Sequence, residues 1–365
     1  MRIDGRNYQS IWIDSDEPEA VKIIDQAKLP FSFEIKSLRT VEDVFEAIYS
    51  MSVRGAPAIG VAGAYGMYLA SLEMKPATRY REHMHNAASY LISSRPTAIN
   101  LSWAVRKVLD SVPDFTSKDK ITGEVKKAAD EICKAEKDRC LGIGMHGVKI
   151  LEEIYKNKNG SAINILTHCN AGWLACVDYG TVTAPVYMAR DKGIPVNVWV
   201  SETRPRNQGA RLTCFELAHE KISHTLVTDN ECGFLMQKGV VDILLTGSDR
   251  VALNGDSANK IGTYLKALAA YDNNIPYYVA VPSSSFDLSC TDGAGSIPVE
   301  ERDPEEVLFM EGVADGQITR FRICETGTNA LNHAFDITPS RLITAFITEK
   351  GIVNPDKSDI IEKIN

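Results

Sequence analysis

No apolar run in this chain approaches the roughly 20 residues that a membrane-spanning helix needs, so no membrane partner is expected. The opening stretch MRIDGRNYQSIWID lacks the apolar centre of a signal peptide, which argues against export. Positive charge is scarce as well. Lysine and arginine number 40 against 48 aspartates and glutamates, giving a net charge of −8 and a pI near 5.5. That balance does not suit a nucleic-acid surface or an anionic bilayer. A bound phosphate would have to be held by local arginines. The eight cysteines (133, 140, 169, 176, 214, 232, 290 and 324) include no CxxC pair. They read as buried thiols of a reducing cytoplasm, not as a disulfide framework. Neither an HExxH motif nor a His/Cys cluster is present, so no metal is expected. His83 and His85 lie in a polar helical stretch and read as solvated.

What is present suffices for two domains. The chain has 365 residues and is 44% hydrophobic, enough for sizeable cores. Its most informative stretch is VVDILLTGSDRVALNGDSANKIGT, residues 240–263. The apolar run Val241–Thr246 predicts a buried strand. The chain then turns through Gly247 and Ser248 onto Asp249 and loops out through Asn254-Gly255-Asp256. A helix is predicted from about Ala258, with Asn259 and Lys260 in its first turn. A carboxylate at the C-terminal end of a parallel strand lies where open α/β sheets bind ligands. A lysine at a helix N-terminus suits an anion.

Before that stretch, Ile11-Trp12-Ile13 and Phe31-Ser32-Phe33 alternate in the period of a small sheet, and residues 41–50 turn helical. Arg54-Gly55-Ala56-Pro57 then leads into AIGVAGAYGMYLA, with Pro57 suited to a first helical position. Gly60, Gly63 and Gly66 predict close helix packing. The design recurs at Ser94-Arg95-Pro96-Thr97 before NLSWAVRKVL, and at Arg204-Pro205-Arg206-Asn207-Gln208-Gly209 before RLTCFELAHE. Arginines set ahead of helices suggest phosphate recognition by guanidinium forks and helix N–H groups. Residues 124–156 read as helical, interrupted at Gly142-Ile143-Gly144-Met145-His146-Gly147. That GxGxxG follows helical spacing where a nucleotide site needs a strand, so packing or a bend is expected.

The turn-rich Lys156-Asn157-Lys158-Asn159-Gly160 places a domain boundary between 1–157 and 158–365. Beyond it, six apolar strands (162–167, 196–200, 224–228, 241–246, 277–281 and 342–347) mostly alternate with helices. Such alternation means an α/β fold with a parallel sheet covered on both faces. Cys169, Glu202, Asp229, Asp249 and Ser283 end successive strands and could reach one rim. Cys169, in NILTHCNAGW, falls in the turn expected to open the next helix, where a thiol can be activated.

VRGAPAIG, SRPTAINLSWA, THCNAG, DYGT, ETRPRNQGARLT, TGSDRVALNGDSANKIGT and NHAFDITPSRLIT occur together and in order. The set closely resembles the methylthioribose-1-phosphate isomerase family. That family is related to ribose-1,5-bisphosphate isomerases and to regulatory subunits of a translation-initiation exchange factor. The resemblance spans nearly the whole chain. It implies a Rossmann-like parallel-sheet C-terminal domain with a smaller α+β N-terminal domain, usually as a homodimer, with no cofactor. It also implies an aldose-ketose isomerisation of a sugar phosphate in methionine salvage. By resemblance Cys169 and Asp249 are the catalytic pair. Arg54, Gly55, Ala56, Arg95, Gln208, Asn259 and Lys260 are expected to bind the substrate. Trp173 and Cys176 depart from the usual THCNAG-following pattern, and Ser248 stands where alanine is commoner. Trp173 is therefore expected to bear on the group at C5 of the sugar.

Overall fold

The run APAIGVAGAYGMYLASLE is apolar on every side, and such a helix belongs inside a core. In the computed structural model it forms the helix Ala56–Glu73, buried along nearly its whole length. The structure describes residues 1–75, 79–96, 98–112 and 117–364; Thr97 of the SRPT turn lies outside them. Two compact units result, one of residues 1–141 with 172–180 and one of 142–171 with 181–365.

In the first unit the buried helix packs with Val41–Tyr49, Tyr80–Ser93 and Ile99–Asp110. Val41–Tyr49 starts at a capping box between Thr40 and Asp43, which satisfies two of its free N–H groups. Gly60, Gly63 and Gly66 serve packing, as expected. A methyl group on Gly63 would lie 2.5 Å from Leu101 Cδ1, and one on Gly66 2.9 Å from Leu91 Cδ1. Ile11–Ile13, Val21–Ile24 and Ile35–Leu38 form a three-stranded antiparallel sheet. Phe31-Ser32-Phe33 is not part of it. The amides of Phe31 and Ser32 turn back onto the Lys28 carbonyl, and Phe33 packs on Tyr8, so the alternation there is local. His83 is not solvated either; it is half-buried and bonds the Ala70 carbonyl at 2.8 Å.

The helix Lys118–Asn157 runs 40 residues without the break expected at 142–147. Its glycines are contact points. A methyl group on Gly144 would meet Met188 and Ala184, and one on Gly147 would meet Pro185. Close packing repays the low helix propensity of glycine. The two units part at 141/142, inside this helix; the position 157/158 is its end.

The second unit is built on a seven-stranded sheet. In spatial order the strands are Gly351–Val353, Ala345–Thr348, Tyr277–Ala280, Ile243–Thr246, Ile163–His168, Val196–Ser201 and Ser223–Val227. All neighbours are parallel except the Gly351–Val353 edge. Numbered along the chain, the parallel strands lie 3-2-1-4-5-6, the doubly wound order. The order reverses between Ile163–His168 and Ile243–Thr246, where Leu166 pairs with Leu244.

A second sheet corrects the reading of residues 257–260. Ser257–Lys260 is a strand, antiparallel to both Arg250–Ala252 and Phe335–Thr338. The helix begins only at Thr263, after Gly262 at φ 99°. Pairing with a segment near residue 336 overrides the local pattern, and no local pattern reports it.

Candidate active site

At a reversal of strand order the two flanking connections leave in opposite directions and open a crevice at the strand ends. Cys169 follows the strand Ile163–His168 and Asp249 follows Ile243–Thr246, so the two candidates flank that crevice. The turn around Cys169 differs from the expectation. No α-helix opens there; a single 3-10 turn, Trp173–Ala175, follows, and the next α-helix starts at Thr183. The helix-dipole argument for the thiol therefore falls. Cys169 instead adopts φ 65°, a left-handed conformation uncommon outside glycine. Its N–H donates to Thr203 Oγ1 at 2.8 Å, and its carbonyl accepts from Thr213 Oγ1 at 2.7 Å. The residue is 7% exposed. Asn170 is buried beside it and donates to Glu216 at 2.9 Å.

Asp249 is half-buried, and its N–H donates to the Ala258 carbonyl at 2.9 Å. That bond places it at the root of the strand carrying Asn259 and Lys260, both buried. Asn259 donates to Thr263 Oγ1 at 3.1 Å. The Lys260 ammonium lies 4.6 Å from the centre of the Phe335 ring, a cation–π contact. Gln208 immediately precedes the π-helical turn Gly209–Thr213. Among the described residues, Gln208 Oε1 and Asn207 Oδ1 are buried without a hydrogen-bond partner. An unmet buried acceptor costs about 1–3 kcal/mol, which a hydroxyl-bearing ligand would recover.

Arg204 and Arg206, expected to resemble Arg54 and Arg95, are committed elsewhere. Arg204 donates to the Val307 carbonyl at 2.8 Å, and Arg206 pairs with Glu306 at 2.8 Å. Within the first unit, Arg54 is half-buried immediately ahead of the helix that begins at Ala56. Gly55 has φ 94°, and a methyl group there would lie 2.4 Å from the Ala175 carbonyl oxygen, so only glycine fits. Arg95 is half-buried in the turn before Ile99–Asp110. Trp173 is fully buried in its 3-10 turn, part of the first unit.

A polar network that the sequence did not reveal underlies the Cys169 turn. His168 is 1% exposed; its Nε2–H donates to the Ile261 carbonyl at 2.9 Å, so its Nδ1 is an acceptor. Nδ1 faces the hydroxyls of Ser201 at 3.0 Å and Thr203 at 3.3 Å. Ser201 in turn donates to Asp229, and the buried Lys266 lies 3.7 Å from the same carboxylate. Burial favours the neutral acid, yet Lys266 and the Ser201 hydroxyl hold Asp229 below the usual carboxylate range. Burial, aided by repulsion from Lys266, pushes His168 down to about 3. The one legible signal was position: His168 and Thr203 sit inside the THCNAG and ETRP motifs.

The depressed His168 has a measurable consequence. Between about pH 6.5 and 3 the unfolded chain protonates this side chain and the native one does not, so stability falls on acidification. The slope is at most about 1.4 kcal/mol per pH unit. Asp336 works the other way, because burial raises it to about 6 although it accepts from Gly262 and Tyr264 N–H groups. Its native form gains a proton as pH falls towards 3.8, a contribution shared by any His168 variant. Urea unfolding at pH 7 and pH 5 should therefore show a larger loss for the natural chain than for His168→Gln. Equal losses would refute the neutral imidazole.

The strand order defines a Rossmann-like α/β protein, with a thiol and a carboxylate following the two strands at its switch point. Residues 52–355 match the Initiation factor 2 subunit family. The chain is 49% identical to a methylthioribose-1-phosphate isomerase of Desulfatibacillum aliphaticivorans, over 99% of this chain and 98% of that one. A solved structure of 5-methylthioribose 1-phosphate isomerase from Pyrococcus horikoshii superimposes with a TM-score of 0.85 at 35% identity, covering 98% and 96% of the two chains. One described as translation initiation factor eIF-2B, subunit delta, from A. fulgidus gives 0.80 at 36% identity, covering 98% and 99%. The chain belongs to the initiation factor 2 subunit family, among its methylthioribose-1-phosphate isomerases.

Proposed function

We propose that this chain converts 5-methylthioribose 1-phosphate to 5-methylthioribulose 1-phosphate, with Cys169 and Asp249 as the catalytic pair. What supports the reading is a thiol and a carboxylate that follow the two adjacent strands at the switch point, together with the buried amide oxygens of Asn207 and Gln208 that lack a partner among the described residues. In a sugar 1-phosphate the anomeric oxygen is esterified, so the ring cannot open to a free aldehyde. The bond between C1 and the ring oxygen must break while hydrogen moves from C2 to C1. Asp249, entering protonated, gives its proton to the departing ring oxygen, which becomes the C4 hydroxyl. Cys169, entering as thiolate, takes the C2 proton to give an enol and returns it to C1, and the C2 hydroxyl proton then passes to the thiolate as the ketone forms. Alternatively it takes the proton of the C2 hydroxyl while hydride passes from C2 to C1. Both routes yield the same ketose and return the pair to its starting state by one proton transfer from thiol to carboxylate.

Asn259, Lys260 and Gln208 are assigned to the sugar hydroxyls and phosphate. Arg54 and Arg95, with the backbone at Gly55 and Ala56, are assigned to the phosphate. A guanidinium beside free helix N–H groups suits a dianion. Replacing Arg95 with alanine should raise KM at least tenfold, the scale of a lost charged hydrogen bond of about 1.5–3 kcal/mol, with thermal unfolding little changed. An unaltered KM would remove Arg95 from the site. The chain is assigned to the cytoplasm and to a homodimer, the latter testable by sedimentation.

The substrate is tested by side-by-side turnover of 5-methylthioribose 1-phosphate, 5-deoxyribose 1-phosphate and ribose 1,5-bisphosphate. Preference for either of the last two would replace the first as substrate, and Trp173→Ala would then show whether that side chain sets the choice. No turnover of any would favour a sugar-phosphate-sensing regulatory role on the same fold.

A further inference from the structure

Two residues at the site hold conformations that ordinary side chains avoid, and they are bonded to each other. Cys169 has φ 65° and Thr203 has φ 70°. For a β-branched residue such as Thr203 this is a true outlier, kept only where the surroundings over-determine it. The surroundings here are specific. Asp229 accepts the Thr203 N–H at 2.8 Å on one oxygen and the Arg204 N–H at 2.7 Å on the other. The Thr203 carbonyl accepts from Asn207 N–H at 2.7 Å. Lys266, 3% exposed, faces the same carboxylate and also donates to the Gly262 carbonyl at 3.3 Å.

Held this way, the Thr203 hydroxyl has two tasks. It accepts the Cys169 N–H, and it lies within donating distance of the Ser201 carbonyl and of His168 Nδ1. His168 closes the circuit onto Ile261, next to Lys260. The network thus ties together the end of the Cys169 strand, the ETRP turn and the end of the Asn259-Lys260 strand. The residue itself is wholly buried, so its hydroxyl serves this circuit and not solvent.

We propose that Thr203, fixed in its left-handed conformation by the Asp229–Lys266 pair, is a positioning residue that sets the orientation of Cys169 for proton transfer. The inference rests on the catalytic reading of Cys169. Removing the hydroxyl frees the Cys169 N–H and lets the turn relax towards ordinary backbone angles, which re-aims the thiol. A misplacement of about 1 Å at a reacting group costs up to about 100-fold in rate.

Thr203→Val keeps the shape and deletes the acceptor; Thr203→Ser keeps the hydroxyl. Expected for Thr203→Val is a fall in kcat of roughly 10- to 100-fold with KM within about threefold, and recovery of most of the rate in Thr203→Ser. Alkylation of Cys169 by iodoacetamide, followed peptide by peptide across pH, supplies a second readout. Its half-maximal pH should move by about half a unit or more in Thr203→Val and stay in Thr203→Ser. If Thr203→Val yields no folded protein, Asp229→Asn takes its place under the same criteria, since the amide removes the charge opposite Lys266. Natural kcat and an unmoved alkylation profile in these variants, with Cys169→Ser inactive, would overturn the positioning role and leave the catalytic reading intact. Substantial turnover by Cys169→Ser would overturn both.

Discussion

Cys169→Ser should lower turnover by roughly 10²- to 10⁴-fold, the range general acid-base groups supply, while KM changes little. A serine hydroxyl ionises far less readily than a thiol, so the proton acceptor is lost although the side chain keeps its place. Asp249→Asn should fall comparably, because an amide cannot deliver a proton to the ring oxygen. The two losses should not add, since residues that act as one unit are non-additive. Near-natural rates in either single variant would sink the two-residue mechanism. The same preparations allow the routes to be separated in deuterated water. An enol intermediate admits deuterium at C1, whereas a hydride shift retains the original C2 hydrogen.

The second large effect is on folding and comes from Gly209, the first residue of the π-helical turn. A methyl group there would sit 1.8 Å from the Ser201 carbonyl oxygen and 3.1 Å from Thr203 Oγ1. Ser201 ends a strand paired on both sides, so its backbone cannot yield. Gly209→Ala should therefore cost at least about 4 kcal/mol, the range reserved for unrelievable strain, read as a lowered urea midpoint or as loss of soluble protein. Gly233→Ala is the matched control. Its new methyl would meet only Ala269 Cβ, at an ordinary 3.6 Å, within the helix Glu231–Gln237. Alanine there should gain up to about 1 kcal/mol. Equal behaviour of the two variants would show that the close approach at Gly209 is not what its conformation requires.

Much of this protein is legible without coordinates, for a local reason. Apolar runs such as NILTH and DILLT declare buried strands because every second and every intervening residue faces a helix layer. The glycines at 60, 63 and 66 mark a helix seam because their spacing repeats on one face. The ordered motifs identify the family and point to Cys169 and Asp249. The excess of acidic residues argues against a basic nucleic-acid surface.

Other features were decided by residues far apart in the chain. That Ser257–Lys260 is a strand depends on Phe335–Thr338, and nothing near residue 258 reports that partner. The run at 142–147 stays helical because Met188, Ala184 and Pro185 pack into its glycines. The turn at Cys169 does not open an α-helix, because hydroxyls of Thr203 and Thr213 hold both of its peptide groups in a left-handed bend. Sequence determined the strands and helices whose period is local and the motifs that identify the family, since period and side-chain type are properties of neighbours. Tertiary structure alone decided the 3-2-1-4-5-6 order that sets the strands leading to Cys169 and Asp249 side by side. It also decided the Asp229–Thr203 circuit beneath them, because strand pairing and buried hydrogen bonds join residues whose separation along the chain leaves no local trace.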